Sequence, residues 1–117
     1  VHDDITEKHF LLQKSGKSEV EVELVHYNKV MTSEQVLADF KERGLKPAPI
    51  EVGLALGKEK PDLQREFPIV MLGSVRQFWF FRGVPCLWGL SDGRRLGLSD
   101  FEDRWHGRFR FLAVREV

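Results

Sequence analysis

The sequence predicts an α+β fold, with two or three short helices packed on an antiparallel or mixed β-sheet. Three observations predict it. Glu19–Tyr27 (EVEVELVHY) alternates between apolar and acidic residues. Thr32 to Gly44 carries both a helix start and a helix stop. From Phe67 onward the chain reads as apolar and aromatic runs broken by turn residues.

At 117 residues with no internal repeat or linker, the chain is expected to be a single domain, 1–117. Residues 1–30 would form an N-terminal β-hairpin extension to a core unit of 31–117. An apolar fraction of 42% against 31% charged residues excludes an intrinsically disordered chain. The single Cys86 excludes an internal disulfide and a Cys-rich zinc site. There is no secretory signal pattern and no apolar run approaching about 18 residues, so a cytoplasmic protein without membrane partners is expected.

Net charge is zero, which weighs against nucleic acid as the partner. The cations are segregated, however. Residues 1–60 hold eight Lys and one Arg, whereas all nine cations of residues 61–117 are Arg, and the three Trp lie there too. Arg with aromatics is the composition of recognition surfaces.

In order, His9–Gln13 predicts a short strand, and KSGKS a turn. In the following strand Val20, Val22 and Leu24 share one face and Glu19, Glu21 and Glu23 the other. That pattern predicts a half-exposed antiparallel strand, in a hairpin with His9–Gln13, whose Glu row is solvated or blunts a sheet edge; a long exposed edge of this hairpin could pair two chains into a homodimer. Thr32 with Gln35 three residues on is a capping box. Val36, Leu37 and Phe40 form the helix's apolar stripe, and Gly44 ends it. A second helix is expected from Pro49 to Leu56, closed by Gly57, and Pro61 opens a third helical turn.

Phe67–Val75 (FPIVMLGSV) is the longest apolar run and predicts a central strand covered on both faces. Arg76–Arg82 (RQFWFFR) is read as another strand, with Phe78 and Phe80 on one face and Trp79 and Phe81 on the other. Either both faces are buried or one aromatic pair is exposed for a partner. Pro85 places Val84–Trp88 at an edge or bulge. Ser91-Asp92-Gly93 predicts a hairpin turn, Arg95–Leu98 a strand, Ser99–Gly107 a loop and Arg108–Arg115 a final strand.

Few residues carry a chemical signature. Asp100, Glu102, Asp103 and His106 lie close together and could hold a metal or exchange protons, but neither EF-hand nor HExxH spacing is present, and surface ion pairs explain them as well. Cys86 sits in an apolar strand, where a lone Cys is a small hydrophobe. Ser74 lacks the second glycine of a nucleophile elbow, and there is no phosphate-binding glycine loop, so no cofactor is expected.

Met31-Thr32-Ser33-Glu34, Arg43–Glu51, Leu63–Val75 and Arg110–Arg115 resemble a small bacterial family of unknown function with the pattern MTSEEVL…RGLRPATLEELLALG…LQREFPIVALGSV…RFLAVR. The resemblance implies no activity. It implies that Met31 is a natural start in relatives and that residues 1–30 are an extension. Pro49 departs from that pattern, where Thr would cap the second helix. Gly44-Leu45-Lys46-Pro47 and Phe109–Val114 are also similar to an order of elements found in C-type-lectin-like domains.

The reading that follows is a non-catalytic binding domain. Its expected surface is Arg76, Trp79, Arg82, Trp88, Trp105 and Arg108, facing a protein partner or a small anionic ligand. The rivals are a nucleic-acid binder using the same residues, and a small enzyme or metal protein using Asp100, Asp103 and His106.

Overall fold

The computed structural model describes residues 6–14, 18–90 and 93–115. Strands β1 (Thr6–Lys14), β2 (Ser18–His26) and β3 (Met31–Thr32) are followed by helix α1 (Ser33–Arg43). After β4 (Lys46–Pro47) come helices α2 (Ile50–Glu59) and α3 (Leu63–Glu66). Strand β5 (Ile69–Val70), a 3-10 turn over Leu72–Ser74 and strand β6 (Arg76–Gln77) precede β7 (Arg82–Leu90) and β8 (Gly93–Asp100). Strands β9 (Arg104–Trp105) and β10 (Arg110–Arg115) close the chain. Parts of the expected turns at KSGKS and at Ser91-Asp92-Gly93 lie outside the described residues.

The main sheet runs β1-β2-β10-β5-β7-β6, with β4 also paired to β10 and β8 to β7. Only β10 and β5 are parallel; the other pairs are antiparallel, so the sheet is mixed. Strands β3 and β9 form a separate two-stranded ribbon.

Helices cover both faces of this sheet. On one face α1 buries Val36 and Phe40 against Val25, Tyr27, Val70, Val84, Cys86 and Phe111. On the other α2 buries Val52 and Leu56 against Val22, Leu24, Ile69, Leu87 and Leu112. Neighbouring residues of one strand therefore belong to different cores, as the continuous apolar runs predict.

The start of α1 is the one expected. Gln35 N–H donates to Thr32 Oγ1 at 3.1 Å, and Thr32 N–H donates to Gln35 Oε1 at 2.9 Å. Gly44 ends the helix at φ 73°, a conformation that costs glycine little. Helix α2 runs three residues further than expected. Gly57 is a buried helical residue there, and Pro49 is the N-cap rather than the first helical residue. The Ile50 N–H is met by Ser74 Oγ at 2.7 Å.

Five other expectations are corrected. The central strand in Phe67–Val75 is only Ile69–Val70. Beyond it Gly73 backs onto the chain at 47–48: its N–H donates to Ala48 O at 2.9 Å, and a Cβ there would overlap the Pro47 carbonyl oxygen. Strand β2 is not an edge, because it lies between β1 and β10. Nor is the expected Glu row open at Glu23: the face bearing Glu21 and Glu23 continues into Val25 and Tyr27, and Glu23 is 1% exposed and ion-paired to Arg115 at 3.0 Å, while the Glu19 side chain lies outside what the structure describes.

Pro85 sits in an interior strand rather than at an edge. Its carbonyl accepts from Met71 N–H at 3.0 Å, so its backbone faces the side where β5 has already ended. The missing N–H removes no ladder bond. Finally, the expected 99–107 loop holds the end of β8 and the strand β9.

Strand β9 brings Trp105 under α1. The Trp105 Nε1–H donates to Ser33 Oγ at 2.9 Å, and the Ser33 hydroxyl donates to Phe101 O at 2.7 Å. Ser33 is fully buried. Replacing it with Ala leaves a buried donor and a buried acceptor without partners. Ser33→Ala should lower unfolding stability by about 1–3 kcal/mol. A denaturant midpoint unchanged from the parent protein would refute this relay.

Candidate functional site

The six residues expected to form one surface are divided by the fold. Arg76 and Gln77 pair with Gly83 and Arg82, and Phe78 N–H donates to Phe81 O at 2.7 Å. RQFWFFR is thus a hairpin and not a strand. Its two-residue loop is Trp79-Phe80, exposed by 93% and 89%. Neither residue has a positive φ. The loop needs no glycine or asparagine, and nothing in its backbone calls for aromatics.

Below the apex, Phe78 and Phe81 stack with ring centroids 5.2 Å apart. The Arg76 guanidinium lies 5.5 Å from the Phe78 ring. Trp79 and Phe80 touch edge to face at 5.8 Å and contribute an apolar knob on a stiff stem.

Arg82 belongs to the stem and not to the knob. Its guanidinium is 4.0 Å from the Phe101 ring, ion-paired to Glu102, and 3.9 Å from Glu34 at the start of α1. It ties the hairpin to α1 and to the turn after β8. Trp105 is core, only 2% exposed, and is removed from the expected surface.

Trp88 and Arg108 meet elsewhere, in a cavity of about 480 Å³ lined also by Arg65, Cys86, Ser99, His106 and Phe109. Four separate stretches build it. Strand β7 presents Cys86 and Trp88 on its α1 face, with the indole nitrogen 3.1 Å from where a Cβ at Gly97 would lie. Buried Gln64 holds α3 to the sheet, its Nε2 donating to Trp88 O at 2.8 Å and Arg95 O at 3.1 Å. The Arg65 stem lies against Gly89. The turn after β9 supplies His106, whose ring is 4.7 Å from Phe109. The lining contains Arg65, Arg108 and His106 and no carboxylate, so the cavity favours an anion.

A neighbouring cavity of about 380 Å³ shares His106 and Arg108 and adds His26, Glu66 and Arg110. Burial holds the His26 imidazole below its usual pKa, Arg110 pushes it the same way, and the hydrogen bond to Gly107 O opposes both.

Asp100, Asp103 and His106 are not assembled into a ligand set. Asp100 Oδ1 accepts the Glu102 N–H at 2.9 Å, a local turn bond. Among the described residues no three His, Cys, Asp or Glu side chains converge to hold a metal.

The sequence offers Trp88 and His106 as rim residues, and both line the cavity; the residues it does not single out are Phe80 at the hairpin tip and Arg65 and Phe109 in the cavity. Phe80 was visible in the aromatic run but not as a loop residue. The cavity residues lie far apart along the chain and share no spacing.

Cys86 lines the cavity with a chemically quiet thiol. It is 3% exposed, and burial pushes its pKa up to about 11, partly offset by a 3.5 Å contact with Ser99 Oγ. At pH 8 only about one thiol in a thousand is then thiolate. Thiol reagents should label Cys86 only when the protein is unfolded; rapid labelling of the native protein would refute that.

Comparison of the chain with family models, with curated proteins and with solved structures finds no match.

Proposed function

We propose that this protein is a non-catalytic interaction module that docks on a partner protein by inserting the Trp79-Phe80 hairpin tip into an apolar pocket. The observation that carries the reading is the exposure of both rings, 93% and 89%; among the other described aromatics Trp88 comes next at 38% and the rest are buried or half-buried. Two adjacent aromatics held in water by a stacked stem are unfavourable unless covered. Trp is the residue most enriched among interface hot spots, and Arg76 beside the stem adds a second hot-spot type. Among the described residues, burial keeps the Cys86 thiol protonated and the Asp100–His106 segment does not converge on a ligand set.

The test is an affinity comparison of the parent protein with Trp79→Ser/Phe80→Ser. Cellular proteins retained by the parent and lost with the variant are purified and re-measured alone. Truncating a hot-spot Trp costs about 2 kcal/mol or more, so the purified partner should bind the variant at least about 30-fold more weakly. The variant's unfolding midpoint should stay at the parent value. Lipid vesicles and single-stranded oligonucleotides form the control arms. Tip-dependent binding to either of these, or a partner indifferent to the double substitution, overturns the reading.

A second reading rests on the cavity beside Trp88. Its size suits a small aromatic anion, with stacking on Trp88 and charge from Arg108 and Arg65. An anionic aromatic ligand at 100 times its Kd should raise native stability by about 2.7 kcal/mol. Arg108→Ala should abolish that gain, while Trp79→Ser should leave it intact. A ligand-induced gain that survives Arg108→Ala counts against this site.

A further inference from the structure

Strand β8 is one margin of the main sheet, and it has neither a bulge, a Pro nor a Lys to protect that edge. Among the described residues it pairs only with β7. Its register runs from Gly83↔Asp100 to Leu90↔Gly93 without a bulge. Its sequence, GRRLGLSD, contains neither Lys nor Pro, whereas β1 at the other margin carries Lys8 and Lys14. Exposed edges ordinarily use such devices to prevent pairing between chains.

The hydrogen-bond phase says which residues are available. Phe101 N–H bonds Arg82 O, and Met71 N–H bonds Pro85 O. Even-numbered residues of β7 therefore face β8, and odd-numbered ones face β5. On β8 the odd-numbered residues bond to β7. Arg94, Leu96, Leu98 and Asp100 direct their backbone N–H and C=O groups to the open side. Arg94 O accepts from Arg95 Nη1, and Asp100 O from the Asp103 N–H. The Leu96 and Leu98 backbones point outward, and their side chains are 50% and 55% exposed on the α2 face.

These outward residues are complementary to themselves. An antiparallel copy of β8, related by a two-fold axis through Gly97, sets Leu96 opposite Leu98 of the other copy. In the same register Arg94 stands opposite Asp100. Opposed residues of an antiparallel pair share a face, so four leucines would meet on the α2 side, with an Arg–Asp pair at each end. A shift of two residues in either direction loses both Arg–Asp pairs and keeps a single Leu–Leu pair, setting the other leucines opposite Asp100 or Arg94. Arg94 spends one donor on Gly57 O at 2.9 Å and retains four others. Asp100 spends Oδ1 on the Glu102 N–H and retains Oδ2.

From this we infer that the protein forms a two-fold symmetric dimer through β8, joining two sheets into one and covering Leu96 and Leu98. The partner is a second copy of the chain, and the surface is separate from the hairpin tip. A two-fold interface requires self-complementarity of this kind. It differs from the pairing expected of the Glu19–Tyr27 hairpin, whose outer strand β1 is the opposite margin of the sheet.

Sedimentation equilibrium of the purified chain tests it, with a mass of twice 13.6 kDa expected at high concentration. Leu98→Pro removes an outward N–H that bonds nothing within the chain and should leave a folded monomer. Arg94→Glu sets like charges opposite each other at both ends and should weaken dimerisation about tenfold. Arg94→Glu/Asp100→Lys restores opposite charges and should recover most of the loss. A parent chain that stays monomeric at millimolar concentration overturns the proposal. So does a dimer unaffected by Arg94→Glu and Leu98→Pro, or a double variant as weak as the single one. Should Leu98→Pro fail to fold, the exposed Arg94 substitution decides alone.

Discussion

Insertion of β10 into the middle of the sheet is the constraint on which the rest of the molecule depends. Arg110–Arg115 pairs with β2 along one side, and with β5 and then β4 along the other. Leu112 and Ala113 are completely buried, one in each core. The last strand is therefore flanked by residues from near the start and from the middle of the chain. Neither core is complete until these distant segments meet, and the entropy of bringing them together is offset by apolar burial on both faces at once.

The same topology decides where the molecule is left unfinished. Strand β5 is only two residues long, so β7 loses its neighbour near Pro85 and finds another in β6. The chain must reverse between β6 and β7 beyond the covered part of the sheet, and this puts Trp79 and Phe80 in solvent. At the other end of β7 the gap between α3, Trp88 and the turn at 106–109 becomes the cation-lined cavity. The outer side of β8 remains an open margin. The candidate surfaces all lie where the sheet runs out, which is where a small α+β fold has surface to spare.

Buried polar groups set the geometry between these surfaces. Ser33 joins Trp105 to the Phe101 carbonyl, Gln64 joins α3 to β7 and β8, and Arg115 meets Glu23 inside the sheet. Ser33, Gln64 and Glu23 are the buried members, and a partner from a distant segment meets each of them with a hydrogen bond or ion pair, which offsets part of the cost of leaving water.

Local physics was readable in the order of residues. The Thr32 capping box, the Gly44 stop, the Val36–Phe40 stripe, the pairing phase of β2 and the strand at the C-terminus depend on contacts a few residues long, and the structure has them. The α+β class follows from the same signals. What only the tertiary structure decided is which face is covered and which end is free. Glu23 and Trp105 are buried because β10 and α1 close over them. Trp79 and Phe80 are exposed because the chain reverses there beyond the covered sheet, and a hairpin without positive φ leaves no turn signature, so four aromatics in a row read as a strand. Trp88, Arg65 and Arg108 share a cavity because α3 and the 106–109 turn flank the same end of β7, and sequence spacing holds no record of that encounter.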